Sequence, residues 1–192
     1  MKKPGSKGEH QLQKKLKTGK RALAFYNSQL LNHLNPEMCH FIAEQEMVFI
    51  STSDLEGHCD TSFRSGHAGF VAILNEKTLL FPDYRGNGVM ASMGNISENP
   101  HIGMLFVDFY QSSIGLHVNG KAEILSSEEL ETYPDLFGKI KPPPKNSGTR
   151  KPALWIRVSV EEAYIHCSKH IPLMQKMDKT IHWETDDEKL KG

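Results

Sequence analysis

The residues with the clearest chemical potential form a glycine-rich turn followed by the start of a helix. The segment YRGNGVMASMGNISENP covers residues 84–100 and contains Tyr84, Asn87, Gly88 and Ser92. A glycine-rich turn lets backbone N–H groups approach an anion, and a helix start behind it adds unpaired donors and a partial positive charge. The segment therefore predicts a site for a phosphate-bearing ligand. Glycine spacing alone favours a simpler interpretation, a loop between a strand and a helix, because short glycine motifs recur by accident.

A second polar segment, CDTSFRSGHAG at residues 59–69, lies directly before an apolar stretch and carries Ser62, Arg64 and Ser65. If this segment is extended, Ser62 and Arg64 point to the same face, because alternate side chains of a strand share a side. An arginine in that position can bind phosphate through two hydrogen bonds. Taken alone, the segment is also compatible with an ordinary surface arginine.

A third group of reactive side chains, HCSKH at residues 166–170, ends the last apolar stretch. His166 and Lys169 are candidate catalytic residues, because both side chains can donate a proton or contact an anion. The His–Cys pair also suggests a metal, but no second pair at ligand spacing accompanies it, and a structural zinc site normally takes four protein ligands. We therefore expect no metal, and a strand end with ordinary polar residues is the alternative.

The elements that must position these residues are mostly strands. Apolar or alternating stretches predict about six of them, at residues 47–52, 69–74, 78–81, 102–109, 115–125 and 155–165. Many short strands with few helices between them favour a mostly antiparallel β-barrel with peripheral helices.

Helical spacing predicts the remaining elements. A helical stretch from about Gln11 is interrupted at Gly19, and Asn35-Pro36 has the capping residue and proline of a helix start. Further helices are predicted between Gly88 and Asn99 and from Ser126. The predicted organisation is an N-terminal helical arm (1–46), a barrel domain (47–172) and a C-terminal tail (173–192).

Composition limits the functional classes. Lys and Arg together number 23, as do Asp and Glu, so the net charge is zero and the basic balance typical of nucleic-acid binding is missing. No apolar run approaches the roughly 18 residues of a membrane span. The three cysteines are scattered rather than paired, which favours free thiols in a reducing cytoplasm. We expect a cytoplasmic protein with neither nucleic acid nor membrane as partner.

Five segments in this order resemble the FMN-binding split barrels related to pyridoxamine 5′-phosphate oxidase. They are the Arg64 segment, the hairpin strand after it, the turn and helix ending in ENP, the buried strand SENPHIGMLFVDF (97–109), and VNGKAEILSSEEL (118–130). The resemblance covers roughly residues 47–130 and continues weakly over 155–167. The helical arm and the ending YIHCSKHIP (164–172) are more similar to a branch described only as oxidase-related and FMN-binding than to the true oxidase.

The resemblance implies a homodimer that binds FMN at its interface. By position, Arg64, Asn87 and Ser92 would contact the phosphate, and Tyr84 and Gly88 would lie beside the cofactor. The chain departs from the true oxidases in two places: Ala91 and Ser92 occupy the positions of their paired basic residues, and Gly115 that of a glutamine facing the flavin.

Two classes of function follow from this resemblance. One is an FMN-dependent oxidoreductase that takes electrons from a small-molecule donor, possibly NADH or NADPH. The other is a non-catalytic module that stores or senses FMN, haem or a similar planar ligand. A deazaflavin in place of FMN is a further alternative within the same fold.

Overall fold

One antiparallel sheet dominates the computed structural model, which describes residues 4–84, 86–133, 152–166 and 168–179. In these described residues the sheet has seven strands: β1 (Met47–Ser53), β2 (Cys59–Ser65), β3 (Ala72–Asn75), β4 (Thr78–Asp83), β5 (His101–Val107), β6 (Gly115–Leu125) and β7 (Leu154–His166). Their order across the sheet is β2-β1-β5-β6-β7-β4-β3. The predicted mostly-β fold is confirmed.

The strand that the apolar pattern did not count is β2. It pairs along its whole length with β1, from Met47 opposite Ser65 to Ser53 opposite Cys59. Its inward side chains are polar, so it has no apolar stripe for a sequence pattern to detect.

Five α-helices lie in the described residues: α1 (Lys7–Lys15), α2 (Gly19–Ser28), α3 (Pro36–Glu44), α4 (Ala91–Glu98) and α5 (Ser127–Glu131). The predicted interruption at Gly19 is confirmed, because α1 ends before it and α2 begins there. Asn35 caps α3 by accepting a hydrogen bond of 2.8 Å from the N–H of Met38, with Pro36 at the first helical position, as the sequence predicts. A capping box between Ser126 and Glu129 begins α5.

The sheet curls into a barrel, since residues from its two sides meet. β2 is one edge strand and β4 lies next to the other edge, yet Nη2 of Arg64 in β2 is 3.0 Å from Oδ1 of Asp83 in β4. The enclosed side contains the core, whose largest fully buried side chains include Phe81, Phe106, Leu79, Leu80, Leu116 and Ile156. The functional candidates on β2 therefore lie where the barrel closes.

The chain divides into two compact units, one ending at Leu31 and the other beginning at Asn32. α1 and α2 belong to the first unit and α3 belongs with the sheet, where the N–H of Leu34 donates to the carbonyl of Glu76 over 2.7 Å. Residues 171–179 have no helix or strand, and residues 180–192 of the predicted tail lie outside the described residues. In the described part of the chain, no helix combines the length and apolar character needed to cross a membrane.

Candidate functional site

Three polar side chains of β2 face the inside of the barrel. Asp60, Ser62 and Arg64 are alternate residues, and their partners on β1 are the buried residues Thr52, Ile50 and Val48. Successive positions on one face of a strand are about 6–7 Å apart. The three side chains therefore form a polar line on the inner side of the edge strand.

Arg64 is held at two of its three nitrogens. Nη1 donates to Oγ of Ser62 over 3.0 Å, and Nη2 forms the ion pair with Asp83. Nε is buried and has no hydrogen-bond partner among the described residues. Because a buried unpaired donor costs free energy, this nitrogen is a place where an added acceptor would be favourable.

Asp83 is the more deeply buried member of the ion pair, with 4% of its side chain exposed against 25% for Arg64. Burial raises the pKa of the Asp83 carboxyl above its ordinary value, and the Arg64 guanidinium opposes this rise. The guanidinium thus offsets part of the cost of burying the Asp83 carboxyl in a place where water hardly reaches it.

The glycine-rich turn leads into α4 as the sequence predicts. Gly86 and Gly88 have φ of 51° and 80°, which glycine adopts without strain, and the side chain of Asn87 accepts from the N–H of Val89 over 3.0 Å. Met90 is also left-handed, and no side chain of the described residues caps α4. The amides of the first turn of α4 are therefore without side-chain acceptors.

Ser92 connects this helix to β2. Its hydroxyl is buried and donates to Oδ2 of Asp60 over 3.1 Å. One turn later Asn95 donates to Oγ1 of the buried Thr52, also over 3.1 Å. These two bonds fix the start of α4 against the same strand face that carries Arg64.

The structure brings together some of the predicted site residues and separates others. Ser62 and Arg64 lie on the inner face of β2, and Ser92 at the start of α4 donates to Asp60 of the same face. Tyr84 directly follows Asp83. Ser65 lies at the end of β2, on the opposite face from Arg64. Gly88 and Asn87 are exposed in the turn, and the Asn87 side chain accepts a hydrogen bond from the N–H of Val89 within the same turn.

The candidate catalytic residues lie elsewhere. His166 ends β7 on the outer face of the sheet, where its Nδ1 is 3.3 Å from Nε2 of His117. Lys169 is exposed in a short 3₁₀ turn over Ser168–His170. Among the described residues, the hydrogen bond of His166 is to His117 on the outer face, away from the inner face of β2.

Sequence reasoning did not find Asp60, Asp83 and His117. Each of them contacts a candidate site residue from a distant segment of the chain; these partners are Ser92, Arg64 and His166, respectively. The Asp60 position was detectable, because it belongs to the same alternation as Ser62 and Arg64. The other two partners depend on how the sheet closes and pairs.

The outer face of the sheet carries a continuous cross-strand row of large side chains, here called the aromatic row. Successive pairings connect its members from β2 to β7: Phe63, Phe49, Leu105, His117 and Tyr164. The Phe49 and Phe63 rings lie 5.5 Å apart, and 52% of Phe63 is exposed. Beside this row runs an open groove of about 530 Å³, lined by Ser51, Gly103, Asn119 and Glu162 among others.

Comparison with known proteins places the chain in a family. The sequence profile described as pyridoxamine 5′-phosphate oxidase matches residues 34–167, which is most of the chain. The protein therefore belongs to the pyridoxamine 5′-phosphate oxidase family, and its barrel is the split barrel of that family. No curated protein matches the chain.

Several solved structures are similar to it. HupZ of Group A Streptococcus is 19% identical over 68% of this chain and 91% of its own, with a TM-score of 0.47. A conserved hypothetical protein of Mycobacterium tuberculosis is 12% identical over 80% of this chain and 96% of its own, with a TM-score of 0.49. General Stress Protein 26 of Bacillus anthracis is 15% identical over 67% and 91%, with a TM-score of 0.42.

Proposed function

We propose that the protein binds FMN and acts as an FMN-dependent oxidoreductase on a small molecule. The observation that carries the proposal is the inner face of β2, where a guanidinium with a buried, unpaired Nε lies on the same strand face as the start of an uncapped helix. The family to which the chain belongs is the reason to propose a flavin as the ligand.

The residues present fit the phosphate end of this cofactor. Arg64 offers a guanidinium whose buried Nε has no partner and would become available after a shift of the side chain, and the first turn of α4 offers backbone amides and the positive end of its dipole. Asn87 and Gly88 keep the approach to these amides open, because both are exposed and one has no side chain. Ser62, Arg64 and Ser92 would hold the phosphate, with Tyr84 near the rest of the molecule.

Asp60 limits the affinity of this site. Its carboxylate accepts the Ser92 hydroxyl, which a phosphate would otherwise use, and it adds a negative charge to the same strand face. We therefore expect Asp60→Asn to bind FMN more tightly than the wild type, because the repulsion disappears while the bond to Ser92 can persist.

A bound flavin would supply the redox chemistry, and the protein would bind and orient it. Arg64 and the α4 amides anchor the anionic end, and the Arg64–Asp83 pair keeps the guanidinium in a fixed orientation. These interactions would position the cofactor, and they do not identify the substrate.

The first test is a titration of the purified full-length protein with FMN, followed by flavin absorbance and fluorescence. We expect a yellow complex, and Arg64→Ala should weaken binding by about 1.5–3 kcal/mol if the guanidinium contacts phosphate. Arg157→Ala is the matched control, because Arg157 also pairs with a carboxylate, that of Glu123, but on β7. A protein that is colourless after incubation with FMN and removal of the free FMN would refute the proposal.

A second experiment separates the oxidoreductase from a module that only stores or senses the ligand. The FMN-loaded protein is mixed anaerobically with NADH or NADPH, and the flavin absorbance is followed. Reduction, then re-oxidation by an added acceptor, supports turnover. A complex that neither donor reduces would instead favour the binding module.

We further propose that the protein is a homodimer with the Phe63–Phe49 end of the aromatic row in the interface. Phe63 is more than half exposed beside Phe49, and an apolar patch of this kind is costly in water. A second copy would cover the patch and supply another wall for a flat ligand. Sedimentation as a monomer in the presence of FMN would refute this arrangement.

A further inference from the structure

The outer face of the sheet holds a pair of histidines that the proposed function does not use. His117 on β6 and His166 at the end of β7 are 49 residues apart in sequence, and Nε2 of the first lies 3.3 Å from Nδ1 of the second. Ligand spacing within the HCSKH segment does not reveal this pair, because the second histidine comes from the neighbouring strand β6.

The surroundings hold both rings in place. The His117 ring stacks on the ring of its cross-strand partner Tyr164, with centroids 4.6 Å apart and planes at 8°. His166 is paired with Gly115, and a Cβ at that glycine would lie 2.9 Å from Cβ of His166 and 3.3 Å from Cδ1 of Ile171. The missing side chain at position 115 therefore gives His166 the room to reach His117.

The separation of the two nitrogens is compatible with a shared metal as well as with a hydrogen bond. At 3.3 Å they lie within hydrogen-bond reach of each other. Two imidazole nitrogens, each about 2.0–2.1 Å from a tetrahedral Zn²⁺, are about 3.3–3.4 Å apart, so the same separation also fits a bound ion.

The two imidazoles are the ligands that the protein would supply, because a neutral imidazole carries the lone pair that a metal needs. The described residues contain no group of three or more His, Cys, Asp or Glu side chains arranged around a metal, so two ligands come from the protein. The remaining coordination positions are open to water or to an added ligand.

We propose that His117 and His166 form a two-histidine site for a divalent transition metal such as Zn²⁺ or Cu²⁺. The site lies on the outer face of β6 and β7, whereas the proposed FMN phosphate site lies on the inner face of β2. It therefore does not depend on FMN binding. Imidazole ligands favour Cu²⁺ and Zn²⁺ over Mg²⁺ and Ca²⁺, which prefer oxygen ligands.

The test is a calorimetric titration of the full chain, without a histidine tag and after removal of bound metal, with Zn²⁺ alone. We expect one site per chain, lost or weakened about tenfold or more in His117→Gln and in His166→Ala. Gly115→Ala should weaken Zn²⁺ binding while leaving both histidines in the chain. Mg²⁺ should not compete.

The control is His58→Ala. His58 is an exposed histidine beside the carboxylates of Asp54 and Glu56, so it reports on non-specific binding and should leave the affinity unchanged. Far-UV circular dichroism of each variant separates loss of the site from loss of the fold. Zn²⁺ binding of wild-type strength in folded His117→Gln and His166→Ala, or no Zn²⁺ binding by the wild type, would overturn the proposal.

Discussion

At the scale of single residues, Arg64 and Asp83 form an ion pair in which each charge depends on the other. Removing one member of a buried ion pair leaves the other charge uncompensated, whereas removing both can be nearly neutral. Since Arg64 is partly exposed, we expect Arg64→Met to lower the free energy of unfolding by about 2–4 kcal/mol. The double variant Arg64→Met/Asp83→Asn should recover much of this loss. Urea denaturation of the wild type, the two single variants and the double variant measures the coupling, and simple additivity would contradict it.

The same pair predicts a pH dependence. In the folded wild type, burial raises the pKa of Asp83 and the Arg64 guanidinium opposes that rise. In Arg64→Met the guanidinium is gone, so burial raises the pKa of Asp83 unopposed. Between the ordinary carboxyl pKa and this raised value, the folded state binds more protons than the unfolded state. Its stability therefore increases as the pH falls through that window. Unfolding curves at several pH values should show the deficit of Arg64→Met shrinking towards acidic pH, and a constant deficit would be inconsistent with a buried Asp83 charge.

The residue scale also shows how far sequence reasoning reaches. Alternation along β2 correctly predicts that Ser62 and Arg64 share a face. It does not predict that Asp83 binds Arg64, because that contact exists only once β2 meets β4 across the closed sheet. The contact between Ser92 and Asp60 is likewise non-local. The types and spacing of residues along a strand therefore identify candidate ligand-binding side chains. Which opposite charges pair with them is decided by the closure of the barrel.

At the scale of elements, the pairing of β6 with β7 depends on a glycine. The register shifts between Asn119 and Gly120, and a Cβ at Gly120 would lie 2.0 Å from the carbonyl oxygen of Ser159. We expect Gly120→Ala to lower the free energy of unfolding by about 2–4 kcal/mol, because backbone must move. Gly94→Ala is the control: Gly94 lies in α4 with open space around it, and the change should stabilise by about 0.5–1 kcal/mol. Thermal unfolding measures the stability of both variants. Equal changes in stability would contradict the close approach of Gly120 to the carbonyl oxygen of Ser159.

The loop between β5 and β6 depends on one carboxylate. Asp108 accepts hydrogen bonds from the N–H groups of Tyr110, Gln111 and Ser112 and from the Ser112 hydroxyl. Burial raises the pKa of Asp108, but these hydrogen bonds outweigh it and the pKa is lowered overall. We expect Asp108→Ala to cost about 1–2 kcal/mol of unfolding free energy at neutral pH.

This cost should disappear in acid. Because the folded pKa of Asp108 lies below the unfolded value, its stabilisation is present above the unfolded pKa and is lost as the pH falls through the folded pKa. The difference in stability between the wild type and Asp108→Ala, followed by urea denaturation from neutral to acidic pH, should therefore narrow. Asp54→Ala in the β1–β2 turn is a useful comparison, because hydrogen bonds from His58 also lower the pKa of Asp54.

The elements themselves were largely predictable, and their pairing was not. Alternation and capping residues predict six strands and the starts of α3 and α5, since these signals are local. The polar inner face of β2 conceals that strand, and the shift at Gly120 changes which residues of β7 face the core. His117 therefore meets His166 through a register that sequence alone does not specify.

At the scale of the whole molecule, the two faces of the sheet differ in what covers them within the described chain. The inner face buries the core and ends in the polar line of Asp60, Ser62 and Arg64. The outer face exposes the aromatic row, which nothing in the described chain covers fully, since Phe63 is 52% exposed. The family match gives the fold, and the uncovered row is the physical reason to expect a second copy.

A charge in the aromatic row tests this directly. Phe63→Lys places an ammonium beside Phe49, and burying an unpaired charge in an interface is far more costly than leaving it in water. We expect sedimentation to show the wild type as a dimer and Phe63→Lys as a folded monomer. Leu55→Lys is the control, because Leu55 is 76% exposed in the turn between β1 and β2 and lies outside the row. If Phe63→Lys stays dimeric, the interface lies elsewhere. If it becomes a monomer that binds FMN as tightly as the dimer, the second copy covers apolar surface without contributing to the flavin site.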